Sequence, residues 1–317
     1  MRHVPAALSR RAAFPALAGL AALPLAGCVA AGPADPPAGS TPTPADRAWE
    51  KARVGRALHH LEDKHDARVG VYAIDVGTGR SVAHRPDERF AYASTCKALL
   101  AGAVLHRFTL GGIDRLVRFR SADLVAHSPV TERHLDSGLT LRELCDASVR
   151  LSDNTAANLL FRELGGPGAL QQALEALGDR ATRCDRYETE LSEAAPGDPR
   201  DTSTPRAMTA DLSAYTLGRT LGTGEQSLLN DWLRRNTTGD ALIRAGTPAG
   251  WSVGDKTGTG GYGTRNDIAV VRPPDSAPIV LTVLTRRRAP HAEPRDALVA
   301  EAARVTLTAL AQNRQGR

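Results

Sequence analysis

Apolar residues near the start of the chain recur at helical spacing. Val54, Leu58 and Leu61 lie three or four positions apart, so they would share one face of a helix over residues 46–65. The sequence therefore predicts an amphipathic helix at the beginning of the folded region.

The spacing then changes to an alternation of apolar and polar residues. This alternation covers residues 68–75 and 81–85, which flank Gly77-Thr78-Gly79. Alternating runs on either side of a glycine-containing turn are typical of a β-hairpin. Helical patterns dominate the long stretch that follows, from residue 95 to about residue 235.

Three strand-like runs lie near the end of the chain, at residues 251–259, 265–272 and 278–287, and a helical pattern over residues 293–312 closes it. Strands at both ends with helices between them indicate one sheet assembled from two distant segments. The predicted fold class is therefore α+β: an antiparallel sheet flanked by helices and built from both chain ends, with an all-helical domain inserted between them.

The same patterns predict the domain boundaries. The sheet domain would be discontinuous, over residues 46–92 and 235–317, and the all-helical domain would cover residues 93–234. A chain of 317 residues with 42% hydrophobic and 24% charged residues is long enough for one large or two smaller cores. This composition excludes a disordered chain and a membrane bundle.

The first 27 residues have the pattern of an export signal. Arg10 and Arg11 precede an apolar run that ends at Leu25, and small residues lead from there to Cys28. Small residues before a cysteine predict a lipoprotein signal in which Cys28 is lipidated, and the arginine pair suggests the twin-arginine route. The expected location is the outer face of a bacterial cell membrane.

Residues 28–45 are rich in Pro, Ala and Gly and predict an extended tether. A freely secreted form cut near residue 30 or 31 is the alternative to lipidation. The formal net charge is +5, and three signal-peptide arginines contribute +3 of it, so only +2 remains for the rest of the chain. We therefore expect no nucleic-acid partner, and membrane contact only through an anchor on Cys28.

Lysine is rare in this chain, which has four lysines beside 36 arginines. Two of the lysines lie in the motifs Ser94-Thr95-Cys96-Lys97 and Lys256-Thr257-Gly258, and Ser152-Asp153-Asn154 lies between them. Unlike a guanidinium, a buried ammonium can lose its proton and then accept one from a hydroxyl. On a helix, Ser94 and Lys97 would share a face near the amino end, where the dipole favours negative charge. Taken alone, Ser152-Asp153-Asn154 is equally typical of a helix cap.

The three motifs in this order resemble class A serine β-lactamases and the related penicillin-recognising enzymes. The resemblance covers the chain from about residue 46 to its end. It also includes these segments: Ser128-Pro129-Val130-Thr131, Arg186-Tyr187-Glu188-Thr189-Glu190-Leu191, Pro196-Gly197-Asp198-Pro199-Arg200-Asp201-Thr202 and Gly254-Asp255-Lys256-Thr257-Gly258-Thr259-Gly260. The resemblance implies an enzyme that hydrolyses small β-lactams, acts without a cofactor or metal and is a monomer.

The resemblance also implies a role for each motif residue. Ser94 would attack the lactam carbonyl and form an acyl-enzyme, and Ser152 would relay a proton to the lactam nitrogen. The backbone amides of Ser94 and Thr259 would form the oxyanion hole. Asn154 would bind both Lys97 and the acylamide side chain of the substrate. The substrate carboxylate would be held by Lys256, Thr257, Gly258, Thr259 and Arg265.

Glu188 distinguishes between related functions, because an acyl-enzyme is released only when water is activated against it. The resemblance implies that residues 186–201 form an Ω-loop closed by a pair between Arg186 and Asp201, with Glu188 as the deacylating base. Whether Lys97 or Glu188 is the base for acylation stays open. Without the flanking match, an exposed loop glutamate would be the ordinary interpretation.

Two substrate-site residues depart from the usual family pattern. Ser192 stands where most relatives have an asparagine that helps to hold the hydrolytic water, and its shorter hydroxyl can still donate and accept. His127 stands at the cleft mouth in place of the usual aromatic residue, and a neutral imidazole can still stack on a substrate. We therefore expect turnover to persist, while the effect of Ser192 on the deacylation rate stays open.

The cysteines argue against a disulfide framework, since lipidation of Cys28 leaves an odd number of them. Some relatives bridge the position of Cys145 to a cysteine where this chain has Ala101, so that bridge cannot form here. Cys96 is expected to be a small buried residue that points away from Ser94. Whether any of Cys96, Cys145 and Cys184 pair stays open.

Two other functions remain as alternatives. One is a penicillin-binding DD-peptidase or transpeptidase, which shares the serine, lysine and Lys-Thr-Gly elements. The other is a lipid-anchored β-lactam sensor that is acylated and does not turn over. Metal-dependent hydrolysis is disfavoured, since the nine histidines show neither of the common zinc-hydrolase spacings.

Overall fold

The computed structural model describes residues 44–312. The predicted signal peptide, the predicted lipidation site Cys28 and most of the predicted tether lie outside the described residues. The described residues belong to one unit of the chain, which begins at Thr41. Within them, no helix is both long enough and apolar enough to cross a membrane.

Helices and strands are numbered here in chain order. The helices are α1 (Pro44–His65), α2 (Cys96–Gly112), α3 (Leu141–Arg150), α4 (Asn154–Leu164), α5 (Pro167–Ala176), α6 (Pro205–Thr216), α7 (Thr223–Arg234), α8 (Ile243–Gly246) and α9 (Asp296–Gln312). The strands are β1 (Arg68–Asp75), β2 (Ser81–His84), β3 (Phe90–Ala91), β4 (Leu116–Val117), β5 (Leu139–Thr140), β6 (Thr202–Ser203), β7 (Ser252–Thr259), β8 (Arg265–Arg272) and β9 (Ile279–Arg286). A short 3-10 turn over Ala93–Thr95 leads into α2.

The main sheet has five strands in the order β2-β1-β9-β8-β7, and each is antiparallel to its neighbours. β1 and β2 come from the beginning of the described chain, whereas β7, β8 and β9 come from its end. The pairing of β1 with β9 joins the two segments, with Val71 opposite Val283. The predicted α+β fold, with one sheet built from both ends of the chain, is therefore confirmed.

The predicted strands agree closely with the observed ones, while two helix ends differ. α9 begins at Asp296 rather than at residue 293. Because Pro294 disfavours helical backbone at the residue before it, the helix cannot easily include Glu293. α1 begins at Pro44, two residues earlier than predicted, at a position where proline is tolerated in a first turn.

The sheet separates two apolar cores, because alternate residues of a strand point to opposite faces. In β8, Ile268 and Val270 face the core that contains the inserted helices, whereas Ala269 and Val271 face α1 and α9. Full burial of a valine or isoleucine side chain stabilises a fold by about 1.5–3 kcal/mol. The sheet is therefore held from both sides.

α2 lies at the centre of the helical part. Leu99, Leu100 and Val104 are fully buried, and the helix packs against α4 and α7. The turn that begins α2 packs against the edge strand β7. This contact brings the first two motifs of the sequence next to the third. The domain boundaries at residues 93 and 235 stay a prediction.

Candidate active site

Ser94 and Lys97 lie at the amino end of α2, one helical turn apart. Lys97 is fully buried, and 9% of the surface of Ser94 is exposed to the cleft. The Ser94 hydroxyl donates a hydrogen bond of 2.9 Å to Glu188 Oε1. The serine of the first motif is thus in direct contact with the carboxylate of the loop.

The Lys97 ammonium is surrounded by oxygen atoms. It lies 3.0 Å from Glu188 Oε1. It also donates to Asn154 Oδ1 at 2.5 Å and to the backbone oxygen of Ser152 at 2.9 Å. Burial without such partners would strongly disfavour the charged amine. Lys97 therefore connects Ser94's carboxylate partner to the Ser-Asp-Asn motif.

The Ser-Asp-Asn motif is both a helix cap and a part of the cleft. Asp153 is the N-cap of α4, since its carboxylate accepts from the backbone of Ala156 at 2.8 Å. Its two neighbours face the cleft instead. Asn154 donates to the backbone oxygen of Ala126, which orients its amide oxygen toward Lys97. The capping interpretation of this motif therefore applies to its middle residue.

Glu188 is held by its backbone. Asn158 of α4 donates from Nδ2 to the backbone oxygen of Glu188 at 2.8 Å, and its Oδ1 accepts from the Glu188 backbone N–H at 2.8 Å. Glu188 is 3% exposed, so the interpretation as an exposed loop glutamate does not describe it. These two bonds fix the carboxylate opposite Ser94.

The ends of the loop over residues 186–201 are joined by an ion pair. Arg186 Nε lies 2.5 Å from Asp201 Oδ2. The Asp201 carboxylate is fully buried and also accepts from the backbone N–H groups of Asp185 and Arg186. Since a buried carboxylate with several donors is strongly stabilised, this pair anchors the loop that carries Glu188.

β7 forms the opposite wall of the cleft. Lys256 is fully buried, and its Nζ donates to Ser152 Oγ at 3.1 Å and to the backbone oxygen of Thr257 at 2.8 Å. Burial, together with the nearby charge of Lys97, lowers the pKa of Lys256 from 10.5 to about 7. Ser152 thus contacts both lysines, since Lys97 Nζ lies 3.4 Å from its hydroxyl.

Gly258 allows this strand to approach α2. A Cβ atom at that position would lie 2.9 Å from the backbone oxygen of Tyr92 and 3.1 Å from the backbone nitrogen of Thr95. Both distances are shorter than ordinary contacts, so any side chain would push β7 away from Ser94. The glycine of the Lys-Thr-Gly motif is explained by this packing.

Arg265 lies on β8, opposite Thr259. Its guanidinium donates to Thr259 Oγ1 at 2.7 Å and to Asp296 Oδ1 at 2.6 Å. Asp296 is the first residue of α9, and its carboxylate orients the guanidinium. The arginine therefore lies at the outer end of the β7 wall.

A cleft of about 360 Å³ lies between the two walls. Its lining comprises Ser94, His127, Ser152, Asn154, Glu188, Thr189, Ser192, Thr238, Thr257, Gly258, Thr259 and Arg265. Lys97 and Lys256 lie beneath this surface, and Arg186 and Asp201 lie at the ends of the loop. The predicted site residues are therefore brought together, apart from Cys28, which lies outside the described residues.

The two residues that depart from the family pattern both line the cleft. The Ser192 hydroxyl donates to Glu188 Oε2 at 3.2 Å, on the carboxylate oxygen that does not face Ser94. His127 is exposed, with a left-handed φ of 60°, and its Nε2 lies 3.2 Å from the backbone oxygen of Leu151. Ser192, which stands where most relatives have asparagine, thus bonds directly to the Glu188 carboxylate.

Cys96, Cys145 and Cys184 are free thiols, and all three are buried. Burial raises the pKa of Cys96 well above its ordinary value and that of Cys184 to about 12. A thiol that cannot ionise is a poor nucleophile. Cys96 is therefore a small buried residue, as predicted, despite its position two residues after Ser94.

Three residues of the site were not predicted from the sequence: Asn158, Thr238 and Asp296. Asn158 holds Glu188, Thr238 bonds to the Thr257 hydroxyl at 2.6 Å, and Asp296 orients Arg265. Each lies in an unremarkable local sequence, and its partner is at least 19 residues away in the chain. No local pattern signals such contacts.

The Ser94 hydroxyl contacts a buried carboxylate beside a buried lysine, and β7 carries a second lysine across the cleft. This arrangement is suited to transferring an acyl group through a serine ester. The site thus places this protein among the serine acyl-transfer enzymes. Comparison with known proteins narrows that class.

The profile of the β-lactamase enzyme family matches residues 53–310. A β-lactamase from Bacillus amyloliquefaciens is 56% identical over 247 residues, which cover 78% of this chain and 81% of that protein. A β-lactamase from Amycolatopsis lactamdurans is 55% identical over 274 residues, which cover 86% of this chain and 88% of that protein.

Solved structures agree with the family match. The crystal structure of a class A β-lactamase from Clostridium kluyveri has a TM-score of 0.81 and 45% identity, covering 82% of this chain and 99% of that one. An ancestral class A β-lactamase has a TM-score of 0.78 and 53% identity, covering 81% of this chain and 99% of that one. The chain belongs to the β-lactamase enzyme family, and within it to class A. Its activity is the hydrolysis of β-lactams, which gives resistance to these antibiotics.

Proposed function

We propose that this enzyme opens the β-lactam amide of penicillins, and of some cephalosporins, through an acyl-enzyme on Ser94 that is hydrolysed by water activated by Glu188. The observation that carries the proposal is the position of the Glu188 carboxylate. It is buried, in contact with the Ser94 hydroxyl at 2.9 Å and with the Lys97 ammonium at 3.0 Å. A base in this position can take a proton from a water that attacks the Ser94 ester.

Acylation requires a proton to leave Ser94 and a proton to reach the lactam nitrogen. The Ser94 proton passes either to the Glu188 carboxylate or to a Lys97 amine that has first given a proton to Glu188, 3.0 Å away. Ser152 then protonates the nitrogen and takes a proton from a lysine in exchange; its hydroxyl lies 3.4 Å from Lys97 and 3.1 Å from Lys256, which supports this role. Backbone N–H groups of Ser94 and Thr259 stabilise the oxyanion of the tetrahedral intermediate.

In deacylation, Glu188 takes a proton from the attacking water, whose oxygen bonds to the ester carbon. The bond from that carbon to the Ser94 oxygen then breaks, and the Glu188 carboxyl, 2.9 Å away, returns the proton to the Ser94 oxygen. Asn158 keeps the carboxylate in place through two backbone bonds of 2.8 Å. Ser192 donates to the second carboxylate oxygen at 3.2 Å and so orients the base.

The substrate carboxylate binds along β7. Lys256 and Arg265 supply positive charge, and the hydroxyls of Thr257 and Thr259 supply hydrogen bonds. Asn154 and His127 face the opposite end of the cleft, where the acylamide side chain of the substrate lies. A DD-peptidase or a sensor would also be acylated, but neither needs a carboxylate held against the nucleophile.

We further propose that the chain is exported and is anchored through lipid on Cys28, and that it acts as a monomer. The export pattern of residues 1–27 and the small residues before Cys28 support this location. Mass measurement of the mature amino terminus tests it. A diacylated Cys28 is expected, and an unmodified terminus downstream of Cys28 would contradict the anchor.

The proposed chemistry is tested by hydrolysis of benzylpenicillin by the wild type, Ser94→Ala and a matched control, Ser148→Ala. Ser148 is also buried, but its hydroxyl has no hydrogen-bond partner among residues 44–312. Ser94→Ala should lose at least about 10⁴-fold in kcat, as expected for removal of a nucleophile, whereas Ser148→Ala should retain the wild-type rate. Hydrolysis by Ser94→Ala at more than a hundredth of the wild-type rate would refute the acyl-enzyme on this residue.

A further inference from the structure

A chain of hydrogen bonds runs from the inside of the sheet domain to the cleft. Asn236 Nδ2 donates to Asp255 Oδ2 at 2.6 Å, and Asn236 Oδ1 lies 2.9 Å from the Thr238 hydroxyl. The Thr238 hydroxyl lies 2.6 Å from the hydroxyl of Thr257. Thr238 and Thr257 both line the cleft, so this series of hydrogen bonds ends at the cleft surface, where the proposed function puts the substrate carboxylate.

The direction of the first bonds can be deduced. The backbone N–H of Thr238 lies 3.2 Å from the same side-chain atom of Asn236 that the Thr238 hydroxyl contacts. A backbone N–H can only donate, so that atom is the amide oxygen and not the nitrogen. The Thr238 hydroxyl must therefore donate to it as well.

This assignment fixes the next proton. A hydroxyl has one proton, and that of Thr238 is used on Asn236. In the bond of 2.6 Å between the two threonines, Thr257 is therefore the donor. In the free enzyme, the Thr257 proton points to Thr238, and a lone pair of Thr257 faces the cleft.

We propose that Thr238 is a positioning residue that sets the orientation of the Thr257 hydroxyl and thereby limits how strongly the enzyme binds substrates with a free carboxylate. The proposal rests on the proposed function, in which the carboxylate binds along β7. A carboxylate can only accept hydrogen bonds, so it must draw the Thr257 proton away from Thr238. Binding then exchanges one hydrogen bond for another instead of adding one.

Removal of the Thr238 hydroxyl, which competes with the substrate carboxylate for the Thr257 proton, should strengthen substrate binding. Thr238→Val has nearly the same shape but no oxygen, so the Thr257 proton is free to turn to the substrate. A hydrogen bond to a charged group strengthens binding, so we expect the KM to decrease about fivefold. Because the carboxylate is bound equally before and during the reaction, kcat should stay unchanged.

The experiment compares benzylpenicillin with its methyl ester, whose neutral group is a much weaker acceptor. For the full chain, Thr238→Val should lower KM about fivefold for the acid and less than twofold for the ester. Thr238→Ser, which keeps the hydroxyl, should behave like the wild type with both substrates. A higher or unchanged KM for the acid in Thr238→Val would overturn the inference.

A double-mutant cycle separates proton orientation from a general change of the cleft. In a Thr257→Val background there is no proton to release, so Thr238→Val should no longer change the KM for the acid. A decrease that persists in this background would contradict the inference. If Thr238→Val does not fold, Thr238→Ala takes its place, with thermal unfolding of each variant as the check. Absence of hydrolysis by the wild type would refute the proposed function. If the wild type hydrolyses both substrates and Thr238→Val has the same ratio of acid KM to ester KM, only the role of Thr238 is refuted.

Discussion

The two walls of the cleft differ in how their charges are paired. One wall, called the helical wall here, is formed by the amino end of α2 and the loop over residues 186–201. In it, the buried Lys97 and Glu188 face each other at 3.0 Å, so opposite charges compensate within the wall. In the β7 wall, the hydrogen-bond acceptors of the Lys256 ammonium are a hydroxyl and a backbone oxygen. Arg265, at the edge of the same wall, lies against Asp296, whose side chain is 45% exposed.

This difference suggests that proton transfer takes place at the helical wall and that the substrate carboxylate binds at the β7 wall. A compensated wall can move protons without changing its net charge, as acylation and deacylation require. A wall whose lysine donates its hydrogen bonds to neutral oxygen atoms suits an anionic group that stays charged throughout the reaction, such as the proposed substrate carboxylate. Substitutions in the helical wall should therefore change kcat, and those in the β7 wall should mainly change KM.

The largest of the effects that test this contrast is expected for Asn158→Ala. Without the two bonds of 2.8 Å to its backbone, Glu188 moves away from the ester of Ser94. Misplacement by about 1 Å can lower a rate by about 10²-fold, so kcat for benzylpenicillin should fall by about that factor while the acyl-enzyme accumulates. Steady-state kinetics with mass spectrometry of the reacting enzyme measure both effects.

Asn230→Ala is the matched control for Asn158→Ala. Asn230 is also buried, but it bonds to the backbone of Thr216 and to Arg272, outside the cleft. Its loss should lower the free energy of unfolding by about 1–3 kcal/mol and leave kcat unchanged. An Asn158→Ala enzyme with wild-type kcat would argue that Glu188 does not need its backbone clamp.

In the β7 wall, pH should affect binding through Lys256. Since its pKa lies near 7, the side chain is charged below that pH and becomes neutral above it. A cation is needed for the substrate carboxylate, so kcat/KM for benzylpenicillin should fall by about tenfold as pH rises through this range. Lys256→Arg keeps its charge at every pH, so its kcat/KM should stay level to a pH at least about one unit higher.

Lys64→Arg provides the comparison for that pH profile, since Lys64 pairs with Glu301 on the surface away from the cleft. It should retain the wild-type profile. The assignment of the alkaline decrease to Lys256 fails if Lys256→Arg and the wild type lose kcat/KM at the same pH.

The smallest effect is expected for Ser192→Asn. The serine already donates to Glu188 Oε2 at 3.2 Å, and asparagine offers a longer side chain with both a donor and an acceptor. The deacylation rate should stay the same or rise by up to about tenfold, because one hydrogen bond is strengthened or added. Pre-steady-state kinetics measure this rate, and a tenfold loss is the result that would contradict our view of Ser192.

The proximity of Ser94 and Lys97 could be predicted from their spacing, because residues three apart share a helix face. The roles of Arg265 and Glu188 were predicted only from the family resemblance. The position of Arg265 opposite Thr259 comes from the structure, and no periodicity marks the loop of Glu188. The bond from Ser192 to Glu188 could not be predicted, as it depends on the folding of that loop.

The sheet and its order of chain segments were predictable because both the alternation of β1 and the apolar runs of β8 and β9 are strong patterns. The supporting residues were not. Asn158 is one of two asparagines on the amphipathic helix α4, and Thr238 lies in a short loop between helices. Their partners lie 30 and 19 residues away, so only the tertiary structure brings them together.

The most direct test of the account is a time course of intact-protein mass spectrometry after mixing benzylpenicillin with the wild type and with Glu188→Gln. Glutamine keeps the shape of the side chain but cannot take a proton from water. The wild type should return rapidly to its free mass, whereas the variant should retain one penicilloyl group on Ser94. Clearance of the adduct by Glu188→Gln at the wild-type rate would contradict the role of Glu188, and a lasting adduct on the wild type would point instead to a sensor or a penicillin-binding peptidase.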